Sequence, residues 1–354
     1  MKSSLHNTLK SQAEKIVWIT LFWILISVFK FLSSYATLLR FNYNLTELSP
    51  YSFLLGSIIT GLIAGLIGGS SMVFFWEKWL RTQSYGWSLL NIFWSYTLIY
   101  FLVATISEML FNASQLNVSF NQVQNYLFWL FIVIITLVAL LVNDKYGPGV
   151  FKSFILGKYF QPKREERIFM FLDLRGSTSI AEKLGESKYF NFLKDLFRDA
   201  TPAILNAKGE IYQYVGDEIV VSWKEDSGTE SANCLQCFFD IQQCFLDNSS
   251  YYQETYNGIV PEFKAGLHYG FVMVGEIGIV KRDIAYSGDV LNTTARIQSK
   301  CNELGVNILI SKYLLDKLGT LSNPFNTRAI GEMQLRGKQD TTILYTVNVY
   351  SEQY

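Results

Sequence analysis

The apolar positions of this chain follow two different rhythms. Between residues 16 and 143 they form four long runs, at 16–39, 52–76, 87–107 and 124–143, each long enough to cross the hydrocarbon core of a bilayer. A soluble helical bundle would carry polar stripes at helical spacing, and the second and fourth runs show none, so the pattern predicts four transmembrane helices. Beyond residue 167 the runs shorten and alternate. Helical patterns at 178–184, 189–205, 233–246 and 311–318 are interspersed with strand patterns at 168–172, 210–215, 218–223, 262–270, 272–277 and 341–349. Such alternation predicts an α+β sandwich, and no solenoid or propeller period is present.

The flanks set the expected organisation. Residues 1–15 are polar, carry Lys2, Lys10 and Lys15 and have no secretory cleavage pattern, which reads as a cytoplasmic leader. The membrane domain follows at 16–143, then a linker at 144–166 in which 150–160 forms an amphipathic signalling helix, then a second domain at 167–354. Basic residues gather in the leader, at Lys78 and Arg81, and at Lys145, Lys152 and Lys158, while 112–121 has none. Both termini are therefore expected on the cytoplasmic side. Lys30 lies well inside the first run and needs either a route to the interface or a polar partner. Gly61, Gly65 and Gly69 recur at four-residue spacing, which permits close helix approach within the bundle or between copies.

Composition adds limits. The 30 basic and 30 acidic residues cancel, leaving no footprint for nucleic acid, and the mean hydropathy of +0.18 agrees with a membrane domain. Cys234, Cys237, Cys244 and Cys301 all fall in the C-terminal half, and with only His6 and His268 in the chain no zinc set forms around them, so they are expected to be reduced packing residues.

Three stretches carry chemistry. The run 168–172 reads as a buried strand and Arg175-Gly176-Ser177-Thr178 as a turn opening a helix, which puts Asp173 at a strand mouth. The N–H groups of Gly176, Ser177 and Thr178 then suit a phosphate, and a carboxylate beside a phosphate calls for a metal between them. A simple helix cap is the alternative for Asp173 alone. Gly216-Asp217 joins two β-rich runs as a hairpin with Asp217 at its tip. In Gly288-Asp289-Val290-Leu291-Asn292-Thr293-Thr294-Ala295-Arg296, Asn292 and Arg296 lie four apart and share a helix face.

These three ordered stretches together resemble the class III nucleotidyl cyclases, over about residues 165–350. The resemblance implies a ferredoxin-like catalytic domain in which a ribose 3′-hydroxyl attacks the α-phosphorus of a nucleoside triphosphate. Two Mg2+ or Mn2+ ions per site would be held by Asp173, Asp217 and the carbonyl of Leu174, hard oxygen ligands suited to those ions. Asn292 and Arg296 match the pair that orients the ribose and takes up charge at phosphorus. Arg336, in Leu335-Arg336-Gly337-Lys338, stands where the family has a triphosphate-gripping lysine, which keeps the charge but alters the geometry.

The base-reading positions depart from the pattern. Gln213 stands where adenylate cyclases carry Lys and guanylate cyclases Glu, and Ala285 where they carry Asp or Thr and Cys. Either orientation of the Gln213 amide fits a purine, adenine in one and guanine in the other. Ala285 offers no hydrogen bond, so Tyr286 or a backbone group must share the reading. The resemblance further implies a homodimer with composite sites, the aspartates of one chain facing the Asn and Arg of the other. The expected function is a membrane-anchored adenylate cyclase, ATP being the substrate of most of the class. The alternatives are a guanylate or other nucleotide cyclase, or a silent nucleotide-binding signalling domain.

Overall fold

A computed structural model describes residues 2–40, 50–111, 119–146, 159–280, 283–321, 324–338 and 340–349. The chain divides into two compact units, Met1–Phe151 and Lys152–Tyr354, and the division falls inside the expected linker. The signalling helix expected at 150–160 and most of the loop at 112–121 lie outside the described residues.

The first unit is helical: α1 (Lys2–Arg40), α2 (Pro50–Ser71), a π turn (Met72–Trp76), α3 (Glu77–Thr82), α4 (Tyr85–Phe111) and α5 (Ser119–Tyr146). Four helical stretches, Gln12–Thr37, Leu54–Leu80, Gly86–Ile106 and Val123–Leu140, are long and apolar enough to cross a membrane. The polar leader is the first turns of α1 rather than a separate segment. The glycines of α2 press against α1: a Cβ on Gly65 would lie 2.7 Å from the Thr20 Cα and one on Gly61 3.0 Å from the Ile24 Cα. That close packing occupies the small-residue face within the chain. Lys30 is satisfied from α5, where Asn125 Oδ1 accepts from its ammonium and the Phe128 ring lies 4.7 Å away. Asn125 sits two residues inside the start of its apolar stretch, so Lys30 reaches toward the end of that stretch.

The second unit contains β1 (Lys163–Leu174), α6 (Ser177–Leu184), α7 (Glu186–Asn206), β2 (Glu210–Val215), β3 (Glu218–Lys224), α8 (Glu225–Thr229), α9 (Asn233–Asp247), α10 (Ser249–Thr255), β4 (Phe263–Ile277), β5 (Asp283–Ser287), α11 (Asp289–Glu303), β6 (Ile308–Ser311), α12 (Lys312–Leu318), β7 (Phe325–Gln334) and β8 (Thr341–Val349). The strands form one mixed sheet in the order β2-β3-β1-β4-β6-β8-β7, with β5 paired to β4 and only β4 and β6 parallel. This is the expected α+β sandwich.

Alternation along β1 assigns its two faces. Ile168, Met170, Leu172 and Leu174 point into the main core with Phe192 and Leu196 of α7 and Phe238 and Ile241 of α9. Phe169 and Phe171 point the other way, toward Val220, Val272, Tyr212 and Tyr286. Helix α11 lies on that second face. Its backbone comes so near β4 that a Cβ on Gly266 would stand 2.3 Å from the Gln298 nitrogen, a position only glycine can fill. Cys234 and Cys237 are fully buried in α9, and burial pushes the Cys234 thiol up to about 12, so they are inert packing groups.

Candidate active site

The sheet brings the first two acidic stretches together. Across the β1–β3 ladder Asp173 faces Glu218, and across β1–β4 it faces Lys264. The β2–β3 hairpin turns at Gly216, whose φ of +63° suits glycine, and delivers Asp217 beside Asp173. Ser177, in the first turn of α6, hydrogen-bonds the Asp217 carboxylate. Gly176 precedes that turn in the left-handed conformation, and it supplies no side-chain cap to the helix. Arg175 fastens the turn from behind through Val306 O at 2.6 Å and Asn307 Oδ1 at 2.9 Å. Leu174 is the last residue of β1, its side chain in the core.

The electrostatics of this corner are unbalanced. Burial, opposed by the Ser177 hydrogen bond and aided by the Asp173 charge, raises the Asp217 carboxyl above the usual carboxylate range. Burial first, then Asp173 and Asp217, push Glu218 up to about 7 against the pull of Lys264. Among the described residues Asp217 Oδ2 is buried with no hydrogen-bond partner. A divalent cation is the group that such an orphaned oxygen beside a second carboxylate accepts, so the residues fit one. Among the described residues no set of three or more His, Cys, Asp or Glu side chains would hold a metal unaided. The remaining ligands would have to come from backbone and phosphate oxygens.

Two groups in this corner escape motif reading. Lys264 Nζ lies 3.0 Å from Asp173 Oδ2, and Gln298 Nε2 donates to the same oxygen at 2.8 Å. A lone lysine in the apolar run Phe263-Lys264-Ala265-Gly266-Leu267 was the available signal for the first. Gln298 carries none, because its reach depends on where α11 crosses the sheet.

Asn292 and Arg296 belong to a second grouping. Asn292 is exposed at the start of α11, and Arg296 lies against the turn before β8, its Nη2 3.4 Å from where a Gly337 Cβ would be. Lys338 of that turn pairs with Asp289, and Arg336 projects exposed from it. Among the described residues no hydrogen bond or ion pair joins Asn292 or Arg296 to either aspartate. The described residues thus hold an acidic grouping around Asp173 and a basic grouping around Arg296.

The base-reading candidates form a third set. Gln213 is exposed on β2 just past a register shift, and Ala285 is half-buried on β5. Tyr286 is engaged throughout: its ring lies 4.7 Å from Tyr212 and 4.8 Å from the Arg167 guanidinium, its hydroxyl bonds Ser222, and its N–H donates to Tyr212 Oη at 3.3 Å. Arg167, with only 1% of its side chain exposed, is held by Glu165 and Glu210.

The sequence profile of the adenylate and guanylate cyclase catalytic domain matches residues 160–348. Adenylate cyclase 2 of Rhizobium meliloti is 39% identical over 202 residues, 56% of this chain and 54% of that protein. An adenylate cyclase of Anabaena cylindrica is 31% identical over 185 residues, 50% of this chain and 36% of its own. A receptor-type guanylate cyclase of Caenorhabditis elegans is 26% identical over 188 residues, 52% of this chain and 18% of its own. The chain thus spans about half or less of the length of these relatives. In fold it is similar to a bacterial light-regulated adenylyl cyclase, with a TM-score of 0.54 at 21% identity over 63% of this chain and 65% of that one. With the profile covering more than half of its length, and with its acidic strand mouth and hairpin tip brought side by side, the chain belongs to the class III adenylate and guanylate cyclase family.

Proposed function

We propose that the protein is a membrane-anchored adenylate cyclase, converting ATP to cyclic AMP and pyrophosphate. The observation that carries this reading is the orphaned, buried Asp217 Oδ2 beside Asp173 in a cyclase-family domain. Asp173, Asp217 and the Leu174 carbonyl would hold two Mg2+ or Mn2+ ions, which when bound lower the pKa of the attacking hydroxyl and offset charge on the leaving phosphates. The N–H groups of Gly176, Ser177 and Thr178, at a helix start without a side-chain cap, receive phosphate oxygens. Lys264, 3.0 Å from Asp173 Oδ2, would leave that oxygen to a bound cation and keep its ammonium beside the phosphates.

Asn292 and Arg296 complete the site from a partner chain. Among the described residues nothing bonds them to the aspartates within one chain, and a two-fold homodimer is the arrangement that would bring the acidic and basic groupings face to face. Asn292 then holds the ribose for in-line attack, Arg296 spreads its donors over the charge developing at phosphorus, and Arg336 grips the triphosphate. Gln213 reads the purine edge with help from Ala285 and Tyr286 through their backbone, the Tyr286 hydroxyl being already engaged. The choice of ATP follows the two relatives of highest identity given above, both named adenylate cyclases.

The enzyme is anchored in a lipid bilayer with both termini cytoplasmic and is regulated through how two catalytic units meet, a reading supported by four helices long and apolar enough to cross a membrane and by the basic residues that flank them. The test is to incubate the purified full-length protein with Mn2+ and ATP, GTP, CTP or UTP and identify the cyclic product. Cyclic AMP as the main product, lost in Asp173→Ala, is expected; cyclic GMP as the main product, or none, contradicts the reading.

A further inference from the structure

We infer that Gln298 positions the metal-binding aspartate of its own chain, so that each α11 serves both active sites of the dimer at once. The inference rests on the composite-site reading above. Arg296 and Gln298 are two residues apart on one helix and therefore leave it on different sides. Arg296 lies on the turn at Gly337, on the half-site offered to the partner. Gln298 points into its own sheet and donates from Nε2 to Asp173 Oδ2 at 2.8 Å.

The position is not an ordinary core position. Gln298 is 6% exposed, while its neighbours Ile297 and Cys301 enter an apolar cluster with Leu309, Leu335 and Leu344. An amide buried at such a place is unfavourable unless bonded, and an apolar side chain would fill the volume without that requirement. The bond it makes is to a carboxylate expected to bind metal. Gln298 and Lys264 both fall on Oδ2, so neither occupies Oδ1. The two differ in kind: the lysine is a cation whose place beside the carboxylate a metal would take, whereas the glutamine is neutral and fixed by the contact of α11 with Gly266. Only the glutamine can keep Asp173 oriented both before and after a cation arrives. Hydrogen bonds to metal-ligating carboxylates commonly carry such a role. A shift of α11 driven by nucleotide in one site would then alter the orientation of the aspartate in the other.

The test uses mixed dimers of full-length chains, purified through two different tags. A chain with Asp173→Ala and a chain with Arg296→Ala together contain one intact site, its aspartates supplied by the Arg296→Ala chain. Gln298→Met placed in that chain should raise the Mn2+ concentration needed for half-activity on the order of tenfold. The same change in the Asp173→Ala chain should leave it unaltered. Equal shifts from either chain, or no shift from either, overturn the inference. Mn2+ binding to the homodimeric Gln298→Met protein, followed by its electron paramagnetic resonance signal without turnover, should weaken by a similar factor, and unchanged binding overturns the positioning role. If the mixed dimers are inactive even with Gln298 intact, the composite-site reading fails and with it the two-site role of α11, while the resonance measurement still decides what Gln298 does to Asp173. Should the methionine variant not fold, Gln298→Asn, which keeps the amide but shortens its reach, gives the same readings.

Discussion

Lys264 stands directly across the β1–β4 ladder from Asp173, and its ammonium lies 3.0 Å from Asp173 Oδ2. Lys264 thus faces a corner holding Asp173, Asp217 and Glu218, a charge imbalance that the raised Asp217 and Glu218 carboxyls register and that a bound cation would relieve. Packing three carboxylates into such a corner is unfavourable for folding, which is the pattern of a functional site.

Asp217→Asn should therefore stabilise the metal-free protein while abolishing turnover. Removing a desolvated charge next to Asp173 is worth about 1 kcal/mol, a rise of about 2–4 °C in the melting of a unit this size. Scanning fluorimetry of the full-length protein, with and without Mn2+, checks this. A lower melting temperature, or a Mn2+-induced shift as large as wild type, counts against the metal assignment.

Gln213→Glu should move the preference toward GTP. A carboxylate accepts from guanine N1–H but offers adenine N1 no proton. Competition between ATP and GTP, read as the ratio of cyclic products, is the measurement. An unchanged ratio means that Gln213 does not read the base.

His268 gives the fold a defined acid sensitivity. Its Nδ1 lies 2.7 Å from Ser311 Oγ, the Tyr313 ring meets it edge-on, and burial together with the Lys338 charge, against that of Asp289, lowers it from 6.5 to about 4. The unfolded chain then takes up a proton that the fold refuses, so this contribution is fully present above pH 6.5 and is lost as pH falls toward 4. The loss amounts to about 3 kcal/mol at most. In denaturant titrations across that window His268→Gln should show a shallower decline than wild type, and parallel declines would contradict it.

Gly65→Ala tests the helix packing in the membrane unit. The new methyl would meet the Thr20 Cα at 2.7 Å, so α1 and α2 must separate, whereas Gly86 has nothing within 4 Å of its missing Cβ. Overpacking of this kind costs about 1–3 kcal/mol. Far-ultraviolet melting in detergent should fall for Gly65→Ala and not for Gly86→Ala. Equal behaviour would show that the glycine face is not a packed surface.

What the sequence disclosed and what it hid divide along physical lines. The apolar runs before residue 143 and the alternation after 167 expose the helices and the central strands, because burial on one or both faces writes itself into side-chain periodicity. Strand β1 starts at Lys163 rather than 168, since pairing with β4 from Lys163↔Val274 onward is a backbone event that charged side chains do not prevent. The two runs at 262–270 and 272–277 are one strand, β4, in which Gly270 makes room for Val290 of α11 instead of breaking the ladder. Strands β5, β6 and β7 were not legible: β6 is four residues long, and β7 is a half-exposed neighbour of β8 with the weak pattern of a sheet edge. The placement of Asp173 at a strand mouth and of Asp217 at a hairpin tip was legible because turn chemistry surrounds them. Lys264 and Gln298 were not, because each acts through a contact set by strand register or helix crossing.

The central claim is that each active site is built from two chains, and mixed dimers measure it directly. Full-length chains carrying Asp173→Ala or Arg296→Ala should each be inactive alone. Co-expressed in equal amounts, about half of randomly paired dimers are mixed and each has one working site, so activity should return to roughly a quarter of wild type. Mixed dimers that form but make no cyclic nucleotide would contradict the composite site.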